Sequence, residues 1–228
     1  MALFEIPDTP VKPIRKNKLV TPTPNLKLRK GQTIDDLVRT AESLVMEKLS
    51  NYKDASTCVT TTEQLLDFFN TTQENSCIGI DTETTGLDVL CDKLVGISLC
   101  NEQDKAIYIP VNHISSVYGT RLPLQIDIDV LKGIFKNIFN NKKYKWIYHN
   151  AKFDLAVFRT FFGFAVPNPY WDTLIASFLL EQSGEHSLKY LYNKYIAVED
   201  EGVNRFDTLF KGITFDYIPP KLATVYAR

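Results

Sequence analysis

Asp81 and Glu83 stand two apart in Cys77-Ile78-Gly79-Ile80-Asp81-Thr82-Glu83-Thr84-Thr85-Gly86, an alternating run that reads as a strand ended by glycine. A period of two puts both carboxylates on one face and Ile78, Ile80 and Thr82 on the other. Two carboxylates on one face repel each other unless a cation lies between them, and oxygen-only ligands suit Mg²⁺ or Mn²⁺ rather than zinc. A third acid, Asp154, lies where Trp146-Ile147-Tyr148-His149-Asn150 ends a strand and Ala151-Lys152-Phe153-Asp154 opens a helix. A carboxylate in the first turn of a helix can reach back over the carboxyl end of the sheet, where the Asp81–Glu83 strand also ends. Three acids are therefore expected to converge. Each also has an ordinary use, as a solvated acid at a strand end or as a complement to the helix dipole.

The elements that must position these acids can be read from spacing. Thr33 caps a helix whose apolar positions Ile34, Leu37, Val38, Ala41, Leu44, Val45 and Leu49 recur at helical intervals. Thr57–Thr61 reads as a strand and Glu63–Asn70 as a short helix. Lys93–Cys100 and Ala106–Val111 read as two strands of an antiparallel meander, joined by Asn101-Glu102-Gln103-Asp104. Ile128–Phe139 has helical spacing, Tyr144–His149 is a short apolar strand, and Ala151–Phe162 is a helix capped by Asn150. Asp172–Glu181, capped by Asp172, and Ser187–Ile196 complete the series. This order predicts an α/β layer fold with a mixed five-stranded sheet flanked by helices. Phe158, Phe161, Phe162 and Phe164 read as core rather than as a base-stacking platform, and His113 and His186 stand apart from other ligand types.

The 228 residues carry 26 basic and 27 acidic side chains, for a formal charge of −1. With 44% hydrophobic and 12% aromatic residues, the composition excludes a histone-like polycation, a disordered acidic tail and a collagen-like chain. The near-neutral sum conceals an asymmetry. Residues 1–30 hold seven basic residues against two acidic and five prolines, so this arm carries +5 and leaves 19 basic and 25 acidic residues, or −6, in the remainder. Three segments are expected: an extended basic arm over 1–32 that touches nucleic acid or acts as a solvated tail, a helix and linker over 33–55, and the main domain over 56–228. No apolar run reaches the ~20 residues of a membrane span and no signal peptide is evident, so a cytoplasmic protein without a membrane partner is expected. Cys58, Cys77, Cys91 and Cys100 form no CxxC pair. Three of them lie in strand-like stretches where a reduced thiol serves as a small core residue.

In combination, Asp81-Thr82-Glu83-Thr84-Thr85-Gly86-Leu87, then His149-Asn150-Ala151-Lys152-Phe153-Asp154, then Tyr226-Ala227 resemble the three motifs of the four-carboxylate 3′→5′ exonucleases. More narrowly, the chain from about Thr57 to Arg228 resembles the proofreading domain of bacterial and phage family A DNA polymerases, a likeness that takes in Asp172-Thr173-Leu174 and His186-Ser187-Leu188. The resemblance implies an RNase H-like fold and two-metal hydrolysis, with Asp81, Glu83 and Asp154 holding two divalent ions, Mg²⁺ with Mn²⁺ as substitute. It gives Tyr226 the role of orienting the attacking water. Thr84 and Leu87 would hold the terminal nucleotide, Leu87 as a wedge against the last base, and Asn150 and Lys152 would lie beside the frayed strand. Phe153 stands where a tyrosine is common. The implied substrate is the 3′ end of single-stranded DNA, and the implied partner is a polymerase domain, in cis or as a separate C-terminal chain, in a bacterial cell or phage-infected host.

His149 with Asp154 also fits the last motif of the histidine branch, in which His149 would be the general base. The Asp172-Thr173 helix and Tyr226-Ala227 fit the tyrosine branch better. That branch runs Tyr-x-x-x-Asp, placing a fourth carboxylate at 230, beyond Arg228, so the site as given is one ligand short. The reading from a different class is a non-catalytic piece of a split or interrupted polymerase that needs a C-terminal partner. The rival within the class is an exoribonuclease of the same superfamily.

Overall fold

A computed structural model describes residues 31–49, 56–102, 105–196 and 209–227. The basic arm up to residue 30, the linker at 50–55, Gln103-Asp104 of the expected turn and Arg228 lie outside the described residues. In chain order the elements are α1 (Ile34–Leu49), β1 (Ser56–Cys58), α2 (Thr62–Thr71), β2 (Cys77–Thr84), β3 (Leu94–Glu102), β4 (Lys105–Pro110), α3 (Ile128–Asn140), β5 (Lys145–Tyr148), α4 (Ala151–Phe162), β6 (Trp171–Asp172), α5 (Thr173–Leu180), α6 (Leu188–Tyr195), a 3₁₀ turn at Phe215–Tyr217, and α7 (Pro220–Tyr226).

The sheet runs β1-β4-β3-β2-β5-β6. β3 is antiparallel to both β2 and β4, and the outer pairings β1 with β4, β5 with β2 and β6 with β5 are parallel. The expected five strands are corrected to six. Asp172, read as the start of a helix, and Trp171 before it pair with Tyr148 and Ile147 before α5 begins. Two residues are too few for a periodic signal, which is why the strand is invisible to spacing.

Alternation along β2 divides the molecule into two cores. Ile78, Ile80 and Thr82 are buried on one face, over which α2, α3 and α4 pack, with Leu65, Phe69, Leu131, Phe135 and Phe158 in one cluster. Phe158 and Phe162 stack at 5.4 Å, and Phe135 lies 5.3 Å from Phe162. These rings, with Phe161 and Phe164 packed partly buried against them, form a core and leave no free stacking platform there. On the other face Tyr108 of β4 meets Leu37 and Ala41 of α1 and Leu222 and Ala223 of α7. Gly96 of β3 makes this possible, because a Cβ there would overlap the Tyr108 hydroxyl.

The helix ends follow the local sequence. Thr33 accepts from the Asp36 amide at 3.1 Å while Asp36 takes the Thr33 amide at 2.9 Å, starting α1. Thr61 and Gln64 form a capping box on α2, and Asp127 accepts from Asp129 and Val130 at the start of α3. The cysteine expectation is corrected: Cys58 is half-buried, whereas Cys77, Cys91 and Cys100 are exposed. Cys77 and Cys100 fall at the outer end and tail of their strands, beyond the packed stretch.

Candidate active site

β5 stops at Tyr148 while its partner β2 continues to Thr84, so Asp81 to Thr84 project beside the first turn of α4. There Asp154 is 1% exposed, and its Oδ1 accepts two hydrogen bonds from Thr82, from the backbone amide at 3.0 Å and from the hydroxyl at 2.6 Å. Thr82 is the contact that spacing did not single out. Its signal was present all the same: a hydroxyl on the buried face of a strand needs a partner.

Asp81 and Asp154 sense one another. Desolvation raises Asp154 from 3.8 to about 7, with repulsion from Asp81 the next cause and the Thr82 bonds acting against both. Asp81 is an exposed residue, yet the protein packed around its carboxyl raises it to about 6, opposed by a bond from the Thr82 backbone. Glu83, half-buried, follows on the face that Asp81 occupies, paired across to Gly96. Among the described residues no three of the acids, histidines or cysteines stand close enough to hold an ion, so the expected convergence is observed as a coupled pair.

The donor chemistry nevertheless fits a hard divalent cation. Burial holds both carboxyls above their ordinary range, Asp81 adds repulsion at Asp154, and two buried hydroxyls beside them lack a protein partner. Ser98 Oγ belongs to the cross-strand neighbour of Asp81, and Tyr148 Oη lies near enough to Asp154 that, after burial, the carboxylate helps raise its pKa. Oxygen atoms that can accept or donate around a hydrated ion are what such a cation recruits.

The remaining sequence-singled residues lie at the end of β2, in the loop after it, at the start of α4 and at the end of α7. Thr84, its hydroxyl bonded to the Gly86 carbonyl at 2.6 Å, and Thr85 line a pocket of about 410 Å³ whose far wall includes Phe215, Ile218 and Tyr226. The Tyr226 ring leans on Phe215 at 5.7 Å. Leu87 is 87% exposed on a loop held in shape by Asp92, which accepts from the Thr85 hydroxyl at 2.9 Å and the Asp88 amide at 2.8 Å. Lys152 is exposed on the first turn of α4.

Asn150 departs from expectation. It sits at the cap position with φ 68° and makes no side-chain cap bond. Asp172 does that work instead, accepting from the amides of Asn150 at 3.2 Å and Ala151 at 2.8 Å while capping its own helix through Leu174 and Ile175. Partial burial opposes ionisation of Asp172, but these four donors outweigh it and hold the carboxyl below its ordinary range. His149 is tethered through Nδ1 to Thr173 Oγ1 at 2.9 Å, a bond that fixes the strand end to α5.

The architecture is RNase H-like α/β. A family model described as 3′-5′ exonuclease matches residues 56–227, and the chain belongs to that family. The DNA polymerase I of Borreliella burgdorferi is 31% identical over 169 residues, covering 74% of this chain and 17% of the relative. That of Pseudomonas aeruginosa is 29% identical over 161 residues, covering 68% and 17%. The chain thus spans about a sixth of the length of these relatives. Among solved structures, the Trypanosoma brucei RNase D–GMP complex aligns with a TM-score of 0.56 at 15% identity, covering 77% of this chain and 54% of that one. Escherichia coli RNase D gives 0.50 at 21% identity, covering 75% and 41%.

Proposed function

We propose that this chain is the 3′→5′ exonuclease portion of a family A DNA polymerase, removing terminal nucleotides from the 3′ end of single-stranded DNA as a proofreading step. The reading is carried by the exonuclease family match over residues 56–227 together with the placing of Asp81 at the end of β2 and of Asp154, held by Thr82, in the first turn of α4. Asp81, Glu83 and Asp154 would hold the divalent ions, Mg²⁺ or Mn²⁺. When bound, such ions supply an activated water and stabilise the leaving 3′-oxygen.

The rest of the work falls to the chain itself. Thr82 fixes Asp154, so one ligand stands ready before any ion arrives. Tyr226, across the pocket from Thr84, would orient the attacking water. Thr84 and the exposed Leu87 would seat the terminal nucleotide, with Asn150 and Lys152 along the strand leading to it. In-line displacement at a phosphodiester asks mainly for positioning and charge neutralisation, and these residues offer both. The polymerase domain is the proposed partner, and the cytoplasm of a bacterial cell or phage-infected host is the proposed setting. No helix among the described residues is long and apolar enough to cross a membrane.

The DNA reading leans on the DNA polymerase I relatives, and the RNase D likeness speaks for the fold alone. The test is degradation of 5′-labelled single-stranded DNA and RNA of one sequence by the full-length gene product in Mg²⁺. Faster loss of DNA from the 3′ end is expected. Preference for RNA would replace the substrate, and no degradation of either would favour the non-catalytic reading.

A further inference from the structure

His113 is fully buried beside the second core and holds no place in the proposed chemistry, yet both of its ring nitrogens are bonded. Its Nδ1 lies 2.6 Å from the Ile218 carbonyl, which only accepts, so Nδ1 carries the proton and Nε2 accepts from the Tyr108 hydroxyl at 2.8 Å. Burial lowers its pKa to about 4, against the bond to Ile218, which keeps the ring in that neutral form. Its backbone is fixed as well. The amide donates to Gln125 Oε1 at 2.9 Å, and Gln125 Nε2 donates back to the His113 carbonyl at 3.0 Å. Tyr108 cannot yield, since its hydroxyl is seated against Gly96.

What His113 grips is the wall of the pocket. Ile218 immediately precedes the Pro219-Pro220 start of α7, the two-turn helix that ends in Tyr226. The His113 ring also lies 6.1 Å from that of Phe215, on which Tyr226 leans. Ile218, Phe215 and Tyr226 all face Thr84 and Thr85 across the pocket. One imidazole therefore joins the sheet, through Tyr108, to two supports of Tyr226, the start of α7 and the Phe215 ring.

We infer that His113 is a positioning residue for Tyr226, setting the distance across the pocket between α7 and the end of β2. That this distance matters for hydrolysis rests on the function proposed above, and the experiment separates the two. Hydrogen exchange on the full-length protein should show His113→Leu speeding exchange of 215–227 by about tenfold or more, with β2 and β3 as protected as in the wild type. His113→Asn, whose amide can still donate to Ile218, should keep most of that protection. Unchanged exchange at 215–227, or loss spread equally over the sheet, would overturn the inference. If His113→Leu does not fold, Tyr108→Phe removes only the hydroxyl and should produce the same local pattern at smaller amplitude, with the same two outcomes against it.

In the nuclease assay, His113→Leu should lower kcat about tenfold with KM nearly unchanged, and adding it to Tyr226→Phe should cost nothing further. Additive losses would contradict positioning through Tyr226. A Tyr226→Phe enzyme as active as the wild type would instead sink the role given to Tyr226, leaving the exchange result to decide the positioning.

Discussion

Asp81 and Asp154 are the residues on which the proposed chemistry and stability pull in opposite directions. Because the folded chain holds their protons to about 6 and about 7 while the unfolded chain releases them near 3.8, their contribution to stability is complete below 3.8 and is lost as the pH rises through 7. A divalent cation reverses that loss only where the carboxylates are ionised. Mn²⁺ is therefore expected to raise the melting temperature at pH 8 and hardly at all at pH 5, and Asp81→Asn should raise the metal-free melting temperature at pH 8 while abolishing the response to Mn²⁺. Thermal melts across pH with and without the ion measure both. A response independent of pH, or one surviving in Asp81→Asn, would show that the ion binds elsewhere. The acids themselves were legible in the sequence because strand alternation and a helix start are short-range signals. Thr82 was not, because the bond that fixes Asp154 joins residues 72 apart.

Asp172 governs two elements at once. Four backbone amides, from the starts of α4 and α5, converge on its carboxylate, so Asp172→Ala unties two helices rather than one. A single cap is worth about 1 kcal/mol, and this substitution should cost about 2 kcal/mol in urea unfolding. Since the pKa of Asp172 is depressed on folding, that contribution is present above its unfolded value near 3.8 and fades as the pH falls below it. A loss no larger than that from Ser187→Ala, an ordinary single cap at α6, would contradict the double role. Asn150 was the natural cap from its position before α4, and the left-handed backbone there points its side chain out of that duty. Sequence spacing sees which residue precedes a helix. It cannot see that β6, two residues long, brings another chain segment alongside.

Across the whole molecule, the two cores are held in register by the sheet between them, and Gly96 and His113 are where the second core meets it. Gly96→Ala would push a methyl group into the Tyr108 hydroxyl and ring and should destabilise the protein by about 2–3 kcal/mol in urea unfolding. His113 works against the acid gain from Asp81 and Asp154. Its pKa is depressed to about 4, so the unfolded chain takes up the proton first, and its own contribution should fall by about 3 kcal/mol between pH 6.5 and pH 4, a loss that opposes that gain and is read as the pH-dependent difference between wild type and His113→Asn. Most of the fold was legible because helices, caps and alternating strands declare themselves within ten or fifteen residues. The second core was not, since it assembles Leu37, Tyr108 and Leu222 from three distant parts of the chain.

The proposed activity requires Asp81 and Asp154 to be the centre of a metal-dependent nuclease. The most direct measurement is the cleavage ladder of a 5′-labelled single-stranded DNA incubated with the full-length protein and Mg²⁺, run beside Asp81→Ala and Asp154→Ala. Stepwise shortening from the 3′ end, abolished by EDTA and reduced about a thousandfold or more in each variant, is the predicted result. Shortening that persists in Asp81→Ala, or that proceeds undiminished in EDTA, would contradict it.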